Sequence, residues 1–168
     1  MEGRGARYVI GYCVTVLTAV LLWCLRQELG GVVMDVLLPK NGSAWEQGKL
    51  CFWPYLAGGL LIWRLGTKED SRGGHCALLV LMPLALTAVC YFVPLHNYQV
   101  VLAAWILVLA AGIALYGLVL RRHLWGGELL WYTLAILMGI AYLLLTAAPP
   151  EGALFTDPMG VPTMAIPV

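Results

Sequence analysis

The chain has 168 residues, of which 61% are hydrophobic and 11% charged, with a formal net charge of +1. A soluble domain carries roughly a quarter charged residues, and a chain this short has too much surface per volume to hide so much apolar material in one core. The surplus must face lipid, and the near-neutral charge without a long basic run sets nucleic acid aside as a partner.

Taken in chain order, a basic stretch from Met1 to Arg7 precedes an apolar run from Tyr8 to Leu25. That has the outline of a signal peptide, but the run is long and Arg26-Gln27-Glu28 stands where a small-x-small cleavage site would follow. The segment is expected to stay as the first membrane helix. A glycine pair, Gly30-Gly31, ends it, and Val32–Leu38 forms a short apolar stretch broken by Asp35. Such a stretch lies on the membrane surface or dips slightly into it.

Pro39-Lys-Asn-Gly42 then makes a turn into Ser43-Ala-Trp-Glu46, a capping-box pattern in which the Ser and Glu side chains each satisfy a backbone N–H of the first helical turn. The second helix is therefore expected from residue 44 to 65, not from Leu50. Three more runs, 76–95, 98–120 and 129–147, match the roughly 20 apolar residues needed to cross a bilayer. Pro54 and Pro83 fall inside helices two and three, where neighbouring helices can re-satisfy the freed carbonyls. After Ala148 the prolines preclude a helix, and Leu154 and Phe155 suggest a docked tail. The expected architecture is all-α: a polytopic transmembrane bundle of about five helices in residues 1–148, with a short interfacial segment between helices one and two. A docked, non-helical, proline-rich tail occupies 149–168.

Basic residues set the orientation. Arg4, Arg7, Arg64, Lys68, Arg72, Arg121 and Arg122 fall on one side, and Arg26, Lys40 and Lys49 on the other. The N-terminus is expected in the cytoplasm and the tail outside. Tyr8, Trp23, Trp63, Tyr98 and Trp125 sit near run ends as interfacial anchors.

Chemistry-bearing motifs are sparse. The five cysteines contain no CxxC pair and read as small apolar side chains in helices. His75 and His123 read as solvated membrane-edge residues. The hydrolase, zinc-protease, nucleotide and dinucleotide fingerprints are missing, and no metal or cofactor is expected. The densest polar cluster is Asn41, Ser43, Glu46 and Lys49 around Trp45. The expected topology adds His96 and Asp157 on the same face. Ionisable groups at membrane depth are functional candidates, and this set could hold a zwitterionic head group, relay a proton or serve as acid and base. The plainer reading makes Ser43 and Glu46 a cap, Lys49 a snorkelling side chain and Asp157 a turn residue. With Glu46 engaged in the cap, Lys49 is expected to draw Asp157 as its carboxylate partner.

The run Pro39-Lys-Asn41-Gly-Ser43-Ala-Trp45-Glu46-Gln-Gly-Lys49 resembles the signature of a family of small multi-pass bacterial membrane proteins of unknown function. That family has a Pro-x-Asn-x-Ser-x-Trp-Glu-His-x-Lys pattern and a Pro-Pro…Phe-x-Asp-Pro tail, matched by Pro149, Pro150, Phe155, Asp157 and Pro158. Gln47 stands where the family has His, so no imidazole chemistry carries over there. The resemblance implies a bacterial cytoplasmic-membrane protein and names no activity. Three functions compete: a protein binding a small or lipid-like ligand in an outer-face polar pocket, an enzyme acting on lipid or polyprenyl substrates, and an accessory subunit of a larger membrane complex.

Overall fold

Long apolar runs can satisfy their own backbone in lipid only as helices or closed barrels, and here the side-chain pattern leaves the helix. The computed structural model describes residues 3–29, 31–65, 72–93, 98–120 and 127–157, and among them there is no strand. The elements are α1 (Gly3–Leu29), α2 (Gly31–Leu37), α3 (Ala44–Gln47), α4 (Lys49–Arg64), α5 (Arg72–Phe92), α6 (Tyr98–Leu115) and α7 (Glu128–Ala147). A π-helical turn, Tyr116–Leu120, prolongs α6. Among the described residues, four stretches are long and apolar enough to cross a membrane: Tyr8–Arg26, Arg72–Phe92, Gln99–Leu118 and Glu128–Ala147. Large side chains such as Leu17, Leu107 and Leu144 are about two-thirds exposed on their outer faces. In water such faces would be untenable; in a bilayer they meet acyl chains.

Several boundaries differ from the hydropathy runs. The first helix extends to 3–29, because nothing at its charged flanks breaks helical geometry. The third runs 72–92 rather than 76–95. The segment after Gly31 is a short helix of its own, with Val32 and Val33 exposed and Met34 buried. The second long helix does begin with Ser43 as its N-cap, but it is interrupted by a tight turn at Gly48 between α3 and α4.

Side-chain pairings give the relative directions. Gly58 on α4 lies against Gly11 and Thr15 on α1; a Cβ there would press on the Thr15 hydroxyl and stand 2.7 Å from the Gly11 carbonyl oxygen. Small residues thus let α1 and α4 run antiparallel at close range. Tyr55 of α4 meets His75 at the start of α5, and Met82 of α5 packs on Gly112 of α6, so α5 is antiparallel to both. Gly73 contacts Glu128, so α5 and α7 start together and run parallel.

Pro54 shows how the interior keeps its polar groups paired. Proline lacks the N–H that would serve the carbonyl four residues earlier, and that carbonyl belongs to buried Leu50. Trp105 of α6 supplies the donor instead, its indole Nε1 standing 2.6 Å from the Leu50 oxygen. One end of the bundle gathers the start of α1, the end of α4 and the starts of α5 and α7. The opposite end gathers α2, α3, the ends of α5 and α7, and the tail.

Candidate functional site

The geometry at the α2–α3 end starts from α2. A helix leaves its last carbonyls without partners inside the helix, and here side chains from α1 and α4 supply them. Lys49 Nζ donates to the Asp35 carbonyl at 2.7 Å, Trp53 Nε1 donates to the Val36 carbonyl at 2.9 Å, and Arg26 donates to the Pro39 carbonyl. Arg26 also lies 3.6 Å from an Asp35 carboxylate oxygen, both side chains being partly exposed. Cations suit the negative end of a helix, so this short amphipathic segment is tied to the bundle by three separate residues.

Ser43 caps α3, its hydroxyl accepting from Glu46 N at 3.5 Å. The reciprocal half of the expected capping box does not form. Ser43 N instead donates to the Asn41 side chain at 3.0 Å, an Asx turn that a residue two positions earlier makes readily. Glu46 is released for other work. Its Oε2 accepts from Lys40 N at 2.7 Å and from Lys49 Nζ at 2.6 Å. Lys49 is fully buried and Glu46 nearly so.

The expected Lys49–Asp157 pair is therefore corrected: Lys49 takes the carboxylate three residues before it on the same chain. Asp157 does reach the turn, but its Oδ2 accepts from Gly42 N at 3.1 Å. The tail is docked further by Trp45 N, which donates to the Leu154 carbonyl at 3.1 Å, and by Phe155, whose ring centroid is 5.7 Å from that of Trp45. Of the sequence candidates, Asn41, Ser43, Trp45, Glu46, Lys49 and Asp157 are thus brought together. His96 lies outside the described residues, as do His123 and Pro158.

With Lys49 and Asp157 bound to different partners, Asp157→Asn and Lys49→Ala are expected to act additively on the unfolding midpoint in detergent, within about 0.5 kcal/mol. A coupling well beyond that would restore the direct pair. Asp157→Ala should cost about 1 kcal/mol and hasten proteolysis of the tail.

Beneath the tail the candidate Trp45 is joined by three residues that sequence reasoning did not select. Trp45 Nε1, Gln47 Oε1, Thr87 Oγ1 and Tyr142 Oη are buried polar atoms with no hydrogen-bond partner among the described residues. The Thr87 and Tyr142 hydroxyls lie against Gly48, Gln47 precedes it in the chain, and the Trp45 ring packs on Tyr142. A Cβ at Gly48 would collide with Tyr142 Oη and stand 2.7 Å from Thr87 Oγ1, and the Trp45 and Tyr142 ring centroids are 4.9 Å apart. The Thr87 and Tyr142 hydroxyls face one another closely enough to interact, but short of good hydrogen-bond geometry. A buried unpaired polar group costs about 1–3 kcal/mol, so four in one place form a costly arrangement. A crevice of about 590 Å³, lined by Ala44, Cys90, Tyr91, Ala153 and Thr156, opens beside them between the tail and α5. Ala44 is one turn before Gln47, and Cys90 and Tyr91 one turn after Thr87, so the crevice and these polar residues lie on neighbouring turns of the same helices. Gln47 was legible only as a departure from a motif, and Thr87 and Tyr142 carried no local signal.

His75 is also corrected. It is buried at 6% exposure, shares a 3.0 Å hydrogen bond with Tyr55 and stacks on Tyr116. A membrane-edge histidine became a core residue because the N-terminal turn of α5 is covered by α4 and the π-helical turn.

No protein-family model, curated protein or solved structure matches this chain.

Proposed function

We propose that this is a ligand-binding membrane protein, whose capped helix and tail enclose a site for a small or lipid-like molecule with a neutral, hydrogen-bonding head. The observation that carries this reading is the set of four buried polar atoms without hydrogen-bond partners on Trp45, Gln47, Thr87 and Tyr142, two of them against Gly48. Its polar members are an amide oxygen, an indole N–H and two hydroxyls, a mixture of donors and acceptors without net charge. The charged residues nearby are occupied with one another, which leaves neutral chemistry for the ligand. Acid–base catalysis at Glu46 is the weaker reading, since its Oε2 already receives the Lys40 N–H and the Lys49 ammonium.

The proposal includes the topology. From Ala44 to Arg64, α3 and α4 together reach roughly 30 Å at 1.5 Å per residue, enough to make a fifth crossing. The excess of Lys and Arg on the other end places the N-terminus in the cytoplasm. The ligand site then faces outward from a bacterial cytoplasmic membrane, the location implied by the family that the turn and tail segments resemble. Both of those segments meet at the site.

Tyr142→Phe and Thr87→Val provide the test. Each removes an unpaired buried hydroxyl, so each should leave the unliganded protein as stable as before, or more so by up to about 1–2 kcal/mol. A thermal-shift series with diacylglycerol, a monoglycosyl diacylglycerol and charged phospholipids should show stabilisation by a neutral head group. That shift should shrink in both variants. If both variants destabilise the protein, or if no neutral head group raises the midpoint, the reading fails.

A further inference from the structure

At the opposite end of the bundle, an apolar cavity of about 160 Å³ opens between α4, α5 and α7. Leu56, Leu60 and Leu79 form its walls, and the Tyr55–His75 hydrogen-bonded pair closes its floor. Its rim has a different chemistry. The Arg72 guanidinium stands 5.0 Å above the Trp63 ring centroid, a cation–π contact that holds it over the mouth, and its fork of five N–H donors leaves several beyond the one that Tyr132 engages. Among the described residues no carboxylate lies within ion-pair distance of Arg72. Arg64 follows the lining residue Leu60 by four positions, so it shares that face of α4 one turn closer to the membrane edge. Arg64 and Arg72 are both exposed. The rim is therefore cationic, aromatic and amphipathic, above an apolar slot.

We propose that this cavity is a second binding site, specific for an anionic phospholipid of the adjacent leaflet: an acyl chain enters between α4, α5 and α7, and the phosphate rests between Arg64 and Arg72. Charge complementarity selects the occupant. Bulk lipid of any head group could fill an apolar slot, and any phospholipid offers phosphate oxygens to two arginines, but a head group with net negative charge gains most because it brings no cation to be repelled by them. Tyr132, which also lines the cavity, interacts with Arg72 and adds a hydroxyl on the same side. Glu128 is the opposing charge: it packs against Gly73, one residue from Arg72. It excludes a second acidic group there and restricts the head group to one that presents its phosphate toward α4.

The site is independent of the pocket beneath the tail, and the two can fail separately. Native mass spectrometry of the purified full chain, with phosphatidylglycerol and phosphatidylcholine of identical acyl chains, provides the test. The anionic lipid should be retained at least tenfold more strongly. Arg72→Gln and Arg64→Gln should each erase most of that preference, lowering retention of phosphatidylglycerol far more than that of phosphatidylcholine. Leu60→Trp, which fills the slot from a half-exposed position, should reduce retention of the anionic lipid with both arginines intact. Equal retention of the two lipids in the unaltered protein would overturn the proposal, as would a preference that survives both arginine variants. Binding of glycerol phosphate as tightly as the lipid would also overturn it, since the slot would then contribute nothing. Far-ultraviolet circular dichroism of each variant separates loss of binding from loss of fold.

Discussion

Lys49→Met should be among the most damaging single substitutions in the chain, lowering stability by roughly 3–5 kcal/mol. The methionine fills much of the same space, so the loss is electrostatic in origin. Without the ammonium, the Glu46 carboxylate remains buried with the Lys40 N–H as its one remaining partner, and the Asp35 carbonyl at the end of α2 loses its donor. A buried charge without its partner is far more costly than a buried pair. The companion measurement is the double variant Lys49→Met with Glu46→Gln, followed by urea or thermal unfolding in micelles. It should be distinctly more stable than Lys49→Met alone, because the second substitution removes the charge that the first one stranded. A double variant no better than the single would mean that Glu46 draws its support from elsewhere, and that the Lys49 ammonium acts chiefly as a cap for α2.

The second large effect is expected at Trp105, far from any candidate motif. Trp105→Phe keeps an aromatic ring in the core but removes the indole N–H that serves the Leu50 carbonyl. The carbonyl is then unpaired in a setting that water does not reach, at a cost of about 1–3 kcal/mol. Repair is possible from the other side. Pro54→Ala restores the helical N–H four residues after Leu50, so Trp105→Phe with Pro54→Ala should recover most of the loss, whereas Pro54→Ala alone should change little. The unfolding midpoint of the four proteins forms a complete cycle. If the two substitutions act additively, the proline and the tryptophan are not partners, and the packing of α6 on α4 must rest on shape alone.

Both effects come from residues that compensate for an awkward feature of the sequence, and they differ in how far away the compensation lies. Glu46 and Lys49 are three residues apart on consecutive helical turns, so their proximity could be read from spacing. Their pairing could not, because it depended on what else Glu46 might do. The capping-box pattern assigned it to Ser43 N, yet Asn41 reached that N–H first through an Asx turn. Two local motifs competed for one donor, and the shorter loop prevailed. Pro54 and Trp105 are more distant still. A proline in a membrane helix announces a carbonyl in need of a donor, and only the packing of α6 on α4 decides which residue provides it.

Class and local structure were legible because lipid imposes a severe rule: every backbone polar group must be paired inside the protein, which a helix does almost entirely within its own segment. Composition therefore led directly to helices, and the N-cap at Ser43, the break after Leu29 and the non-helical stretch 149–157 followed from residues within a few positions of each feature. Asp157 was expected to approach the Asn41–Lys49 turn and does so, since tail and turn share one end of the bundle, though Gly42 N and not Lys49 donates to it. Tertiary structure alone decided the rest. Thr87 and Tyr142 sit in unremarkable apolar runs on α5 and α7, and become a polar pocket only because those helices run parallel and meet α3 at a glycine. His75 and Arg72 lie three residues apart at the start of α5, one buried against Tyr55 and the other held over Trp63. A helix fixes the angle between such neighbours from sequence alone; which side of it faces protein and which faces lipid is set by the helices that pack against it.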